Sequence, residues 1–582
     1  MTGAQLALFP FLILVLPLVA AAAWWLRRRY TAAIVRLQAT PRAVRHTQGD
    51  DAQPVRLEAP SVRESAPRLH IRIEPARDVG PADPSSGVTG PPRLRRRVLL
   101  VHAAGELAYF SALTLFMIFA VLGQIQFGVI RMTAPVLLAF VGTPVAVAWI
   151  LQAGLPRKLV TVASILLVIY AVSLVWSDAE GWESEAGFAF GYAAISLMIS
   201  AFMRPTIRGA GIPLVAASTA GWLVLSILFA GALALEGPDG GGSDSLGEVI
   251  IGVGELLLML VAAAWCGWRT LTALSNRYAA KRFSDIQLAL GTYWLLLTAF
   301  VMGSLVRDSS IFEPRPVALP WVAVGVLGLW LLWRRFQVAA LGAIVGSAPP
   351  SLGALLLLRV FKPSGRSQAF TDRFFAYWRF AAPVWMIGGP DLAGAYLEPN
   401  EFFAYLRGRL REQFVATPEE IARALGALDG GRDPDGRFRV TEVYCTGDTW
   451  QPTVLEMMSR ASVILLDLRE YSSARRGTQY ELTEVLRRAP LHKVVVLVDA
   501  RNDVTTLRTE IERTWNDVSG SRAADGSPLE LSVLQFRSGG AAEMHGLYRA
   551  AVRAARHQPS EANQTTAISP TSGTQWPAAR LS

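Results

Sequence analysis

Apolar residues along this chain gather into runs of roughly 18–25, the length a helix needs to cross a hydrocarbon layer. Charge changes sign from one connection between runs to the next. The first run covers 6–26 and ends directly on Arg27, Arg28 and Arg29. Further runs fall near 98–123, 133–153, 159–177, 187–203, 212–235, 247–268, 286–306 and 317–333. Backbone groups in hydrocarbon must be satisfied within the segment, so the pattern predicts helices and about nine spans. Arg157 with Lys158, Arg204 with Arg208, the basic stretch 269–282, and Arg334 with Arg335 fall on one side. Asp178, Glu180, Glu183, Glu185, Glu236, Asp239, Asp244 and Glu248 fall on the other. Lys and Arg near span ends favour the cytoplasm, so the N-terminus is expected outside and everything after 335 inside. A cleaved signal would carry its positive charge ahead of the apolar run; here the charge follows it, which predicts an uncleaved anchor at 1–26 with Trp24 and Trp25 at the interface.

After Pro350 the pattern shifts to short apolar runs alternating with amphipathic stretches. Strands are expected at 355–361, 384–387, 438–444, 463–468, 493–498 and 531–536, with helices at 366–380, 400–414, 449–461, 477–488, 505–515 and 541–556. Near-continuous apolar strands separated by helices predict a mostly parallel sheet covered on both faces. Segment 338–358 is apolar enough for a tenth span, but Gly342, Gly346, Ser347, Pro349, Pro350 and Gly353 suit an interfacial connector better. The expected architecture is therefore a polytopic α-helical membrane domain followed by a cytoplasmic α/β domain. In order, it comprises an anchor at 1–26, a basic and largely disordered linker at 27–97, eight helices over 98–335, a connector at 336–354, the α/β domain at 355–556, and a disordered tail at 557–582.

Composition agrees with this division. Of 582 residues 52% are hydrophobic and only 18% charged, which excludes an ordinary soluble protein. The net charge of +10 arises largely between Arg27 and Arg97, where 15 Arg face 7 acidic residues. That surplus suits a lipid bilayer with anionic headgroups as partner. Nucleic acid is not expected, because no aromatic platform is interleaved with these arginines. Two cysteines, Cys266 and Cys445, exclude a disulfide framework, and six histidines scattered along the chain give no zinc pattern. The Arg-, Ala- and Gly-rich composition suits a bacterial plasma-membrane protein.

Candidate chemistry lies in two places. Ionisable groups inside apolar runs cost at least ~2.5 kcal/mol and are functional suspects: His102 and Glu106 share one helical face of the second run, and Glu255 lies in the seventh. In the α/β domain, polar residues collect where strands end, which is where open parallel sheets bind ligands. These are Arg359, Asp391, Asp448 beside Cys445, Asp467 with Arg469, and Asp499, all candidates for a nucleotide or small-molecule ligand. Within SVILLDLREYSSARRGTQYEL (462–482) a buried strand leads through a Ser- and Arg-rich loop into a helix whose first turns carry Glu481. An acid there is favoured by the helix dipole, and its i+4 neighbour, Val485, offers no ion pair.

This segment resembles the strand–loop–helix of TIR domains and is similar to the glutamate-bearing loop of nucleoside 2-deoxyribosyltransferases. The resemblance covers about twenty residues. In active members of both groups that glutamate attacks or stabilises the ribosyl C1′ as the base leaves. By position the resemblance nominates Glu481 as catalytic, supported by Asp467 and Tyr471. Walker A, GxGxxG, GxSxG and HExxH motifs are absent, and no resident cofactor or metal is expected. Three readings follow: a signalling or effector protein that binds a nucleotide-type ligand, a protein partner or a second copy of itself; a glycohydrolase acting through Glu481; or a proton- or cation-coupled transporter using Glu106 and Glu255.

Overall fold

The structure, a computed structural model, describes residues 15–39, 68–80, 90–122, 159–164, 167–168, 170–171, 201–202, 208–236, 246–307, 318–359, 365–388, 399–446, 449–469, 471, 476–500, 504–521 and 529–556. Its helical part contains α1 (Leu16–Ala39), α2 (Gly90–Leu122), α3 (Arg208–Glu236), α4 (Leu246–Ala279), α5 (Asp285–Arg307) and α6 (Ala318–Gly346).

The nine-span, multi-pass expectation is corrected. Among the described residues a single helix, Ile250–Ala279, is long and apolar enough to cross a membrane. Charges read as loops are the interior of helices: Arg27, Arg28 and Arg29 lie within α1, Arg93 to Arg97 within α2, Arg269 within α4, and Arg334 with Arg335 within α6. The expected run at 133–153, most of 187–203 and about half of 159–177 lie outside the described residues. Two further boundaries move. Helix α6 continues unbroken to Gly346, so 336–354 is not one connector and 338–358 is not a separate span. The basic segment 27–97 contains the end of α1, a strand at His70–Pro75 and the start of α2.

The C-terminal unit is a fully parallel sheet of eight strands: β1 (His70–Pro75), β2 (Leu355–Arg359), β3 (Val384–Gly388), β4 (Phe414–Val415), β5 (Val440–Cys445), β6 (Val463–Asp467), β7 (Val494–Asp499) and β8 (Glu530–Phe536). They lie in the order β1-β8-β7-β6-β2-β3-β5-β4. Successive strand residues point to opposite faces, and both faces are dry. Leu356, Leu358, Ile464, Leu466, Val496 and Val498 belong to one core. Leu355, Leu357, Val463, Leu465, Val495 and Leu497 belong to the other. This double burial explains why the six expected strands read as continuous apolar runs rather than alternating ones.

Among the described residues, seven α-helices cover or flank the sheet: α7 (Gly365–Trp378), α8 (Pro399–Leu406), α9 (Pro418–Gly426), α10 (Trp450–Arg460), α11 (Arg476–Arg488), α12 (Val504–Val518) and α13 (Ala541–Arg556). Helix α13 starts from a carboxylate trap. Glu543 accepts the backbone N–H groups of Arg537 (2.9 Å), Ser538 (3.2 Å), Gly539 (2.5 Å) and Gly540 (3.2 Å), with Gly539 in the left-handed region at φ 67°. Burial alone would raise its carboxyl, but these four donors hold it below the ordinary carboxylate range. Replacing Glu543 by alanine should destabilise the full chain by about 2 kcal/mol, read by urea unfolding, because four N–H groups lose a charged acceptor together.

The helical part and the sheet meet at the turn between α4 and α5. The 429–439 segment ahead of β5 is gripped there. Arg439 donates to Asp433 (2.9 Å) and to the Tyr278 carbonyl (2.8 Å), with its guanidinium 4.0 Å from the Tyr278 ring centroid. Tyr278 donates to Asp285 (2.9 Å), and Arg437 pairs with the fully buried Asp435 at 2.6 Å. Lys281 reaches Asp429 and the Gly431 carbonyl.

Candidate functional site

Strands β5-β3-β2-β6-β7-β8 reproduce the 3-2-1-4-5-6 order of doubly wound sheets, with β4 and β1 added at the edges. The winding reverses between β2 and β6. The helices that follow these two strands, α7 and α11, pack on opposite faces of the sheet, and open parallel sheets take ligands beyond the carboxyl ends of the strands at such a reversal.

Arg359 closes β2 and stands in register with Asp467, which closes β6. Both are buried. Asp467 is held by Arg469 in a two-pronged pair, Nε to Oδ1 at 2.8 Å and Nη2 to Oδ2 at 2.6 Å, and also accepts the Arg469 backbone N–H at 3.2 Å. The Arg469 guanidinium lies 3.6 Å from the Phe370 ring centroid on α7. These contacts tie together β6, its following turn and α7. The pair neutralises both charges internally where β6 ends.

Glu481 sits in the second turn of α11 and is 2% exposed. Its Oε2 has no hydrogen-bond partner. Burial pushes its carboxyl up to about 8, and the nearby Arg359 guanidinium offsets this only in part. Thr478, one turn earlier on the same face, is 1% exposed and its hydroxyl is likewise unpartnered. Buried polar atoms are nearly always satisfied, so two orphans three residues apart mark a place shaped for something else. At neutral pH this pair offers a protonated carboxyl and a hydroxyl, both able to donate or accept, beside one cation.

The remaining expected residues are less assembled. Tyr471 is half-buried, and its hydroxyl faces Glu510 and Arg513 of α12 rather than Glu481. Asp499 ends β7, opposite Phe536 of β8. Cys445 ends β5 in a buried setting that pushes its thiol up to about 11, an inert form. Asp391 and Asp448 lie outside the described residues. In the helical part, Glu106 is buried and accepts from Gln337 of α6 at 3.1 Å, while His102 is fully buried with neither ring nitrogen hydrogen-bonded. Glu255 is exposed on the outer face of α4. Glu106 and Glu255 therefore do not share a cavity among the described residues, as a common transport path would require.

Two arrangements escaped the sequence reading. One is the 429–439 clasp, whose alternating Asp433, Asp435, Arg437 and Arg439 in a Gly- and Pro-containing turn carried a readable sign. The other lies at the carboxyl ends of β3 and β5. Tyr30 of α1 meets Tyr444 (3.0 Å) and Glu401 (3.2 Å), Tyr444 donates to Glu442 (2.9 Å), and Gln38 donates to the Gly388 carbonyl at the end of β3 (2.9 Å). The N-terminal helix thus lies against the carboxyl ends of β3 and β5.

Comparison with known proteins finds no matching family model, no matching curated protein and no matching solved structure.

Proposed function

We propose that the α/β unit binds a nucleotide-type ligand at the β2–β6 crevice, and that the chain acts as a signalling or effector protein beside a membrane. The observation that carries this reading is the orphaned, buried pair Glu481 and Thr478 next to Arg359 at the reversal of the sheet. A cation suits a phosphate or another anionic group, and the two neutral polar groups suit sugar hydroxyls or a base edge. The resemblance of 462–482 to TIR and 2-deoxyribosyltransferase loops points to the same ligand class. Helix α4 supplies the membrane attachment, and the basic residues of α1, α4 and α6 toward the α/β unit support a cytoplasmic place for it.

The test is thermal unfolding of the full chain against NAD, ATP and free nucleosides. A ligand present at 100 times its Kd adds about 2.7 kcal/mol, an easily read upward shift. Glu481→Leu and Thr478→Val should each remove it. If no nucleotide shifts the wild type, or the variants respond as the wild type does, the reading is wrong.

The glycohydrolase reading has one specific constraint. A carboxyl held near 8 is protonated at neutral pH, so Glu481 would attack a ribosyl carbon only after ionising. NAD or nucleoside turnover should then rise as pH approaches 8 and vanish in Glu481→Gln. Stability moves the opposite way. The folded carboxyl titrates above its unfolded value of about 4.5, so its contribution is complete below that value and is lost as pH rises through about 8. Over that window the wild type should lose a few kcal/mol relative to Glu481→Gln.

A further inference from the structure

Helices α3 and α4 meet backbone to backbone. A Cβ built on Gly221 would lie 2.8 Å from the Ala263 carbonyl oxygen, and one on Gly267 would lie 3.2 Å from that of Ala217. Beside this seam their surfaces part into an open groove of about 450 Å³, walled by residues such as Leu214, Trp222, Leu225, Leu260, Ala264 and Leu271. Its lining is mostly apolar. The outer face of α4 continues it, with Ile251, Leu257, Leu258, Val261 and Trp265 all exposed.

One end of the groove changes character. Leu214 and Leu271 pack there with Leu26 of α1, and Arg28 and Arg29 follow within a turn. The Arg28 guanidinium lies 3.7 Å from the Trp24 ring centroid, Arg29 lies 5.0 Å from Trp25, and Arg269 lies 5.9 Å from Trp265. All three tryptophans are at least 48% exposed. Among the described residues none of these three arginines makes an ion pair, although carboxylates are plentiful elsewhere in the fold. Exposed indoles carrying unpaired guanidiniums on the side toward the α/β unit match the boundary between acyl chains and phosphates, where Trp rings sit at headgroup depth and Arg stems extend toward the phosphate plane.

We infer that this groove and its arginine end form a binding site for one anionic phospholipid, with an acyl chain between α3 and α4 and the phosphate among Arg28, Arg29 and Arg269. The inference rests on the membrane attachment proposed above. Zwitterionic lipid would fill the groove equally well, but it would leave three positive charges uncompensated. The negative headgroup is therefore the selective element.

The full chain is reconstituted into vesicles of phosphatidylcholine alone and into a phosphatidylcholine–phosphatidylglycerol mixture, and lipid retained after re-extraction is measured by mass spectrometry. Wild type should retain phosphatidylglycerol in preference. Each of Arg28→Gln, Arg29→Gln and Arg269→Gln should lower that preference about fivefold, the equivalent of ~1 kcal/mol per basic residue. Ala264 is exposed in the groove wall, so Ala264→Phe fills the groove without entering the helix seam and should reduce retention of both lipids. Equal retention of the two lipids by wild type, or unchanged preference in all three arginine variants, overturns the site while leaving the membrane attachment standing. A chain that enters neither vesicle overturns both.

Discussion

Placing one carbon at position 546 should dislodge a strand from the sheet. Gly546 of α13 lies so close to the 76–78 turn that a Cβ there would run into the Ala76 carbonyl oxygen and fall 2.7 Å from its carbonyl carbon. Both obstructions are backbone, so no rotamer change relieves them. Ala76 and Val79 are buried against α13, and His70–Pro75 pairs along its length with Glu530–Gln535 of β8. Gly546→Ala should force the turn outward and Gly546→Val should release β1 altogether. Overpacking of a dense core costs about 1–3 kcal/mol, and losing a six-residue strand adds to it. Urea unfolding of the full chain measures the loss, and faster proteolysis within 68–80 identifies its source. A Gly546→Val chain with wild-type stability and protection would show that β1 does not need this contact.

The second large effect is expected at Asp435. Its carboxylate is fully buried, yet it stays below the ordinary range: burial pulls it upward, but Arg437, a hydrogen bond from Ser284 and the proximity of His102 outweigh that. Asp435→Asn keeps the shape and leaves Arg437 as a buried charge that has lost its closest partner. Removing one member of such a pair costs about 3–5 kcal/mol. Since Ser284 and His102 belong to the helical part, the loss should separate the two halves of the protein, seen as two unfolding transitions instead of one. Replacing both members, Asp435→Leu with Arg437→Met, should recover most of the stability, because an apolar pair of similar volume carries no desolvation debt. If the single variant unfolds like the wild type, the clasp does not hold the halves together.

Much of the C-terminal sheet could be read from the chain because its strands are buried on both faces, and a run such as LLLLR or VILLD admits few other fates. Two strands could not be read. Phe414–Val415 is only two residues long, and HIRIEP alternates within a Pro- and Arg-rich stretch whose composition argues for disorder. Glu481 stood out because an acid without a helical partner is conspicuous. Thr478 did not, because a threonine one turn into a helix carries no signal until its surroundings are known. The helical part misled for a related reason. Apolar windows register what a segment contains but not where its helix stops, and arginines that interrupt the windows at 27–29 and 334–335 do not interrupt α1 or α6. For Glu106 the chain does not reveal its neighbour, because Gln337, which donates to it, lies 231 positions away.

The position of β1 also bears on how the protein is made. His70 leaves the ribosome some 460 residues before Glu530, the strand partner it lies beside. Until β8 and α13 emerge, His70–Pro75 has no neighbour to pair with, and the sheet edge that will receive it does not exist. Completion of this edge of the sheet must therefore wait for β8 and α13. A translation stall anywhere before 530 would leave a short, mostly polar strand unpaired on the nascent chain, its backbone hydrogen-bonding groups turned to water.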